Sequence, residues 1–150
     1  MTHGNVTDED LAELIQRTTE AAKAYIRGDM NTYFTLIKHT EDNTLMSPFG
    51  GEPTRGVDTS PERLEALERF FQGGEADLEL VESYTSGDLV VLVVIERQQG
   101  LVGGLPEQDW SLRVTWVFRH EGSEWRQVHR HADPLVHGIS FEQLAALARG

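Results

Sequence analysis

The segment WRQVHRHADPLVHG, residues 125–138, gathers His129, His131, Asp133 and His137 into one short run. Three kinds of chemistry fit those residue types. His-x-His on a strand is a metal-ligand spacing, and Asp133 or His137 would complete a tetrahedral set. Histidine also titrates near neutral pH, so His129 or His131 fits general acid/base work, tuned by Asp133 or Glu82. Alternatively, one imidazole lines a pocket while the other is held structurally by a neighbouring strand or an interface, as buried polar groups generally are. On an unbroken pleat, residues two apart share a face about 6.5–7 Å from each other. Trp125, Gln127, His129, His131 and Asp133 then point one way, and Arg126, Val128, Arg130 and Ala132 the other. No further His or Glu pair recurs at ligand spacing, so no metal is expected. His129 and His131 are the candidate catalytic pair, with Gln127 and Asp133 beside a ligand.

Other residues join the candidate lining. Arg113 sits among apolar strand residues, where an inward guanidinium would anchor a carboxylate or phosphate and an outward one would pair with an acid. Trp116 and Trp110 suit core, interface or pocket wall. Tyr33 can present its hydroxyl to a ligand, while Tyr25 is read as packing. Glu82, Tyr84, Glu96 and Arg97 are candidates by location alone. His3, His39, His120 and His137 are read as solvated. A phosphate-binding loop, a dinucleotide fingerprint and a nucleophile elbow are all absent from the sequence, so no NAD or ATP chemistry and no cofactor is expected.

These residues are carried by 150 positions with a formal net charge of −12. The length suits one domain over 1–150. Hydrophobic residues at 39% and charged ones at 25% are ordinary for a folded chain. The negative charge repels a phosphate backbone and an anionic membrane surface, so neither nucleic acid nor membrane is an expected partner. With no cysteine, disulfides, thiolate metal sites and cysteine nucleophiles are excluded. The N-terminus is polar and acidic, and no run approaches the ~20 apolar residues of a membrane span. The expected compartment is cytoplasmic.

The elements that must position the candidates follow from periodicity. Thr7 and Asp10 form a capping box ahead of a helix with Leu11, Leu14, Ile15, Ala22, Tyr25 and Ile26 on one face and Gly28 as its stop. A short helix spans Asn31 to Lys38, and Thr44 to Ser47 is strand-like. Ser60 and Pro61 start a third helix that Gly73-Gly74 ends. The chain then turns to strands: ADLELVESYTS and DLVVLVVIERQQ around Ser86-Gly87-Asp88, then WSLRVTWVFRH and WRQVHRHAD around Glu121-Gly122-Ser123. The run Leu89 to Ile95 is apolar throughout, so cover is expected on both faces. Gly138, Ser140 and Gln143 start a final helix. Helices followed by a meander make an α+β protein, with helices on one face of an antiparallel sheet. A second copy of the sheet is the expected cover for the other face, giving a homodimer.

The order of these elements resembles the nuclear transport factor 2-like fold. The residues that carry the likeness are Tyr25-x-x-Gly28-Asp29, Pro48-Phe49-Gly50-Gly51, Ser86-Gly87-Asp88 and Trp125-x-x-Val128-His129-x-His131. The last is similar to the closing strand of SnoaL-like proteins and of the calcium/calmodulin-dependent kinase association domain. The resemblance, from Thr7 to Val136, implies a cone-shaped α+β fold in which a curved antiparallel sheet packs on the N-terminal helices around a pocket. Ketosteroid isomerase-like and SnoaL-like relatives include cofactor-independent isomerases, lyases and hydrolases as well as non-catalytic binding and assembly domains. The expected ligand is a small, largely apolar molecule, either turned over by His129 or His131 or simply held.

Overall fold

Two polar side chains decide where the first helix begins. Thr7 Oγ1 accepts from the Asp10 amide at 3.0 Å and the Thr7 amide donates to the Asp10 carboxylate at 3.2 Å, the reciprocal capping the sequence implied. The computed structural model describes residues 6–150. Helix α1 (Asp8–Ile26) buries Leu14, Thr18, Ala21, Ala22, Ala24 and Ile26. Helix α2 (Met30–Leu36) follows at once, capped by Asp29. Strand β1 (Lys38–Met46) is longer than its local composition implied, and the two-residue β2 (Thr54–Arg55) pairs with it. Helix α3 (Pro61–Phe70) starts on Ser60, as read.

Its end differs from expectation. Gly73-Gly74 does not close a loop: the chain passes from α3 directly into β3 (Phe71–Ser86), and both glycines lie in the strand. Gly74 serves a close approach instead. A Cβ on Gly74 would fall 2.8 Å from Gly100 Cα and 2.9 Å from Ile26 of α1, nearer than a methyl group can sit. Strand β4 (Leu89–Val102) returns alongside β3, the short β5 (Gln108–Asp109) pairs with β4, and β6 (Leu112–Glu121) and β7 (Glu124–Pro134) complete the meander. The path across the sheet is β2-β1-β7-β6-β4-β3. Every pairing is antiparallel except β1 with β7, which run parallel. Helix α4 (Phe141–Arg149) closes the described chain.

Helix α1 packs on β3 and β4, and the core lies between helices and sheet. One cluster joins Leu14, Ala21, Tyr33 and Ile37 to Val90, Leu92, Val94, Val114, Trp116 and Phe118. A second gathers Ile26, Met30, Leu67, Phe71 and Val102. The all-apolar run of β4 is not covered equally on its two faces. Val90, Leu92 and Val94 are buried, whereas Leu89 is exposed and Val91, Val93 and Ile95 are only half-buried. An alternating strand with apolar residues on both sides leaves its outer stripe facing water until something covers it.

Gly28 joins α1 to α2 at φ 77°, and a Cβ there would run into the Phe71 carbonyl oxygen. Gly28→Ala therefore combines left-handed strain with a backbone collision. A loss of about 2–4 kcal/mol is expected, read as a lower denaturation midpoint with an unchanged m-value.

Candidate functional site

The face on which each candidate residue stands is set by one irregularity in β7. Phe118 pairs with Gln127 and Val117 with His129, so Val128 is an extra residue, a β-bulge. Alternation restarts beyond it with the opposite parity. Trp125 and Gln127 keep to the inner, helix-covered face, as expected. Arg130 and Ala132, read from the sequence as the opposite set, join them there. His129, His131 and Asp133 stand on the outer face with Thr115 and Val117.

The expectation that both imidazoles line the hollow is thus corrected. His129 Nδ1 lies 2.7 Å from Thr44 Oγ1 of the neighbouring strand. His131 Nε2 is 3.2 Å from an Asp133 carboxylate oxygen, with His131 half-buried and Asp133 exposed. The two rings are 6.4 Å apart. Arg113 also faces outward and is exposed, away from the lining proposed for it. Of the expected ligand neighbours, Tyr33, Trp116 and Gln127 are on the inner face. Arg113 and Asp133 meet His131 instead in a shallow outer groove of about 510 Å³ walled by Val81, Val93 and Ile95.

The inner face holds a polar centre of its own. Glu96 continues the buried series Val90, Leu92, Val94 on β4, with its side chain only 4% exposed. One carboxylate oxygen accepts from Trp116 Nε1 at 3.0 Å, and the other accepts from Arg130 Nη2 at 2.8 Å. The Arg130 guanidinium also lies over the Trp116 ring, 4.8 Å from its centroid, and Trp116 stacks on Phe118 at 5.6 Å. Burial pulls the Arg130 pKa down, but Glu96 beside it, with Tyr33 and Tyr25, outweighs that and leaves it raised. Tyr25 and Tyr33 meet edge to face at 4.8 Å. Burial pushes both hydroxyls above their ordinary range, so they stay protonated at neutral pH.

Two buried atoms of this wall lack a hydrogen-bond partner among the described residues: Arg130 Nε and Gln127 Oε1. The guanidinium therefore keeps a donor beyond its bond to Glu96. The sequence contained half of this site. A glutamate in phase with three core residues demands a buried partner, and that signal was legible. The partner was not, because no glycine marks the bulge that turns Arg130 inward.

His39 is a further correction, having been read as solvated. It lies opposite Gln127, its ring 5.7 Å from that of Phe34, and burial pushes its pKa down to about 4. His120 packs against Trp125 with ring centroids 4.8 Å apart. His137 is exposed, and His3 lies outside the described residues.

Separating the buried charges should be costly. Glu96→Gln and Arg130→Met should each lose about 3–5 kcal/mol, while the double variant loses less than their sum; urea unfolding of all four proteins reads this. For His39 the folded pKa of about 4 lies below the ordinary 6.5. The unfolded chain then binds more protons between those values, and stability falls as pH drops through that window. At pH 5 the loss from this residue should be about 2 kcal/mol relative to pH 7. In His39→Phe the difference in melting temperature between the two pH values should shrink accordingly.

Comparison with known proteins places this geometry. No curated protein matches the chain by sequence. Among solved structures, an NTF2-like protein of unknown function from Rhodospirillum rubrum is 23% identical, with a TM-score of 0.60, covering 85% of this chain and 99% of that one. A proposed dehydratase of the NTF2-like family from Streptomyces avermitilis is 20% identical at TM-score 0.66, covering 87% and 99%. The CaMKII hub homology domain of Chlamydomonas reinhardtii is 18% identical at TM-score 0.58, covering 84% and 98%. At such identities the likeness is one of fold: helices packed on a curved, unclosed sheet. The SnoaL-like domain description matches residues 14–136, and on that match the chain belongs to the SnoaL-like domain family.

Proposed function

We propose that this chain is a binding module for a small, largely apolar molecule carrying a neutral hydrogen-bond acceptor such as a ketone or ester carbonyl. The observation that carries this reading is the unpartnered Nε–H of Arg130 on the buried inner face. An orphaned donor next to a charge is a standing demand for an acceptor. The charge balance selects the class of ligand. Arg130 is already neutralised by Glu96 at 2.8 Å, so a carboxylate entering here would meet a second carboxylate with little net attraction. A neutral carbonyl takes the same hydrogen bond without that repulsion. The Tyr25, Tyr33 and Trp116 rings would give a ligand seated at Arg130 apolar walls, as small-molecule sites generally require.

Binding is favoured over turnover by where the acid/base groups stand. Both oxygens of Glu96 are engaged, and His129 and His131 lie across the sheet from this wall. The outer face, with its half-buried stripe of Val91, Val93, Ile95 and Val117, is read as the surface through which two copies pair. The hub and NTF2-like relatives make self-association a natural use of this fold. No helix among the described residues is long and apolar enough to cross a membrane.

The pocket reading is tested with small cyclic ketones, each compared with its matched hydrocarbon and carboxylate by ligand-observed NMR titration. Saturable binding of the ketones should weaken about 10- to 100-fold in Glu96→Gln/Arg130→Met, which removes the charged donor without leaving a lone buried charge. Equal affinity in the variant, or tighter binding of the carboxylates, would overturn it.

A further inference from the structure

Helix α4 buries none of its residues against the described chain. It is capped at its start by Ser140 and Gln143 in a reciprocal box, and its Phe141, Leu144 and Leu147 recur at helical spacing. Those three side chains are 89%, 56% and 72% exposed, and every residue from 136 to 150 is exposed. A capped nine-residue helix is too short to hold together in water on propensity alone. An amphipathic one gains its stability by burying its apolar face. The segment from residue 137 onward also falls outside the family match, which ends at 136.

We infer that α4 docks on a second copy of this chain, in the outer-face groove walled by Val81, Val93 and Ile95 and rimmed by Arg113, His131 and Asp133. The inference rests on the reading of the outer face as a pairing surface. Three observations select this occupant.

The first is continuity. Leu135 and Val136, the residues that lead toward α4, themselves line the groove, so the arm leaves its own subunit at the edge of the face that a partner would cover. Residues 135–140 can span up to about 20 Å when extended, enough to carry the helix across a shared boundary.

The second is charge. Two chains at −12 each repel wherever their acidic surfaces meet. The groove lining carries one Arg and one Asp, and α4 carries Glu142 and Arg149, so each sums to zero. Each also offers the other an opposite charge, Arg113 toward Glu142 and Asp133 toward Arg149. Among the described residues Arg113 forms no salt bridge within its own chain.

The third is volume. A groove of about 510 Å³ has room for side chains such as Leu144 and Leu147, which would exclude water from the outer valines they cover. The interface so formed would be reciprocal, each subunit giving one helix and receiving one, as two-fold pairing requires.

The absence of native cysteine makes the test clean. Leu144→Cys and Val93→Cys are introduced singly, with one variant carrying a mass tag, and also together in one chain. Under mild oxidation, mixing the single variants should give a covalent heterodimer. The doubly substituted chain should give a disulfide-linked dimer. In the otherwise unaltered full chain, Leu144→Asp/Leu147→Asp should raise the dimer dissociation constant at least about tenfold by sedimentation, with a far-UV circular dichroism loss no larger than one short helix and the sheet signal retained. An internally bridged monomer from the doubly substituted chain would show α4 folding onto its own sheet and overturn the inference. A wild-type dimer that yields no cross-link would overturn the arm while leaving the paired outer faces standing. A wild type that sediments as a monomer at every concentration would overturn both.

Discussion

A carboxylate and a guanidinium held out of water set the terms for the inner wall of this protein. Glu96 cannot occupy the row of Val90, Leu92 and Val94 unless its charge is met, and Arg130 and Trp116 meet it from the two strands beyond. A buried ion pair of this kind contributes little net stability compared with hydrocarbon in its place, while breaking it is expensive. What it does contribute is position. Strands β4, β6 and β7 must keep one register for three side chains to converge, and the Arg130–Trp116–Phe118 stack then fixes the wall that faces Tyr25 and Tyr33. Hydrogen-bonding capacity is left over on this wall at Arg130 Nε.

The two faces of the sheet divide the work. Helices α1 and α2 close the inner face, and no element among the described residues closes the outer one. This asymmetry follows from a topology in which the helical segments lie on one side of the meander and the last strand leads outward to α4. On an acidic chain, the surfaces suited to contact with another copy are those where charge cancels and hydrocarbon is half-covered. The outer stripe of β4 and β6 is of that kind, and the apolar stripe of α4 is more exposed still.

Much of this fold was legible in the sequence because its signals are local. The Thr7–Asp10 and Ser140–Gln143 boxes, the Ser60-Pro61 start and the Gly87 turn each depend on a few adjacent residues, and each appears where its chemistry requires. The sequence leaves Trp116 among core, interface and pocket wall, and the structure buries it with Phe118 on the helix-covered face. The site was less legible because it depends on parity across a strand. Periodicity on either side of Val128 is regular, and the sequence records no discontinuity between the two halves. His39 was misread for a related reason: its burial comes from Phe34 and the β1–β7 pairing, contacts that no local pattern encodes. Likewise, in the Gly73-Gly74 pair, a common stop signal, Gly74 was needed for a strand crossing close beneath Ile26.

The bulge also bears on how relatives of this chain can be aligned. Gln127 and Arg130 stand on one wall although two residues separate them, where a plain strand would allow one. A relative lacking the residue equivalent to Val128 could hold the same pair on the same wall at the shorter spacing. Gap-free alignment through that point would then match its inward guanidinium to an outward imidazole here. A spacing-based signature drawn from the closing strand alone would sort such homologues by their bulge rather than by what their cavities contain.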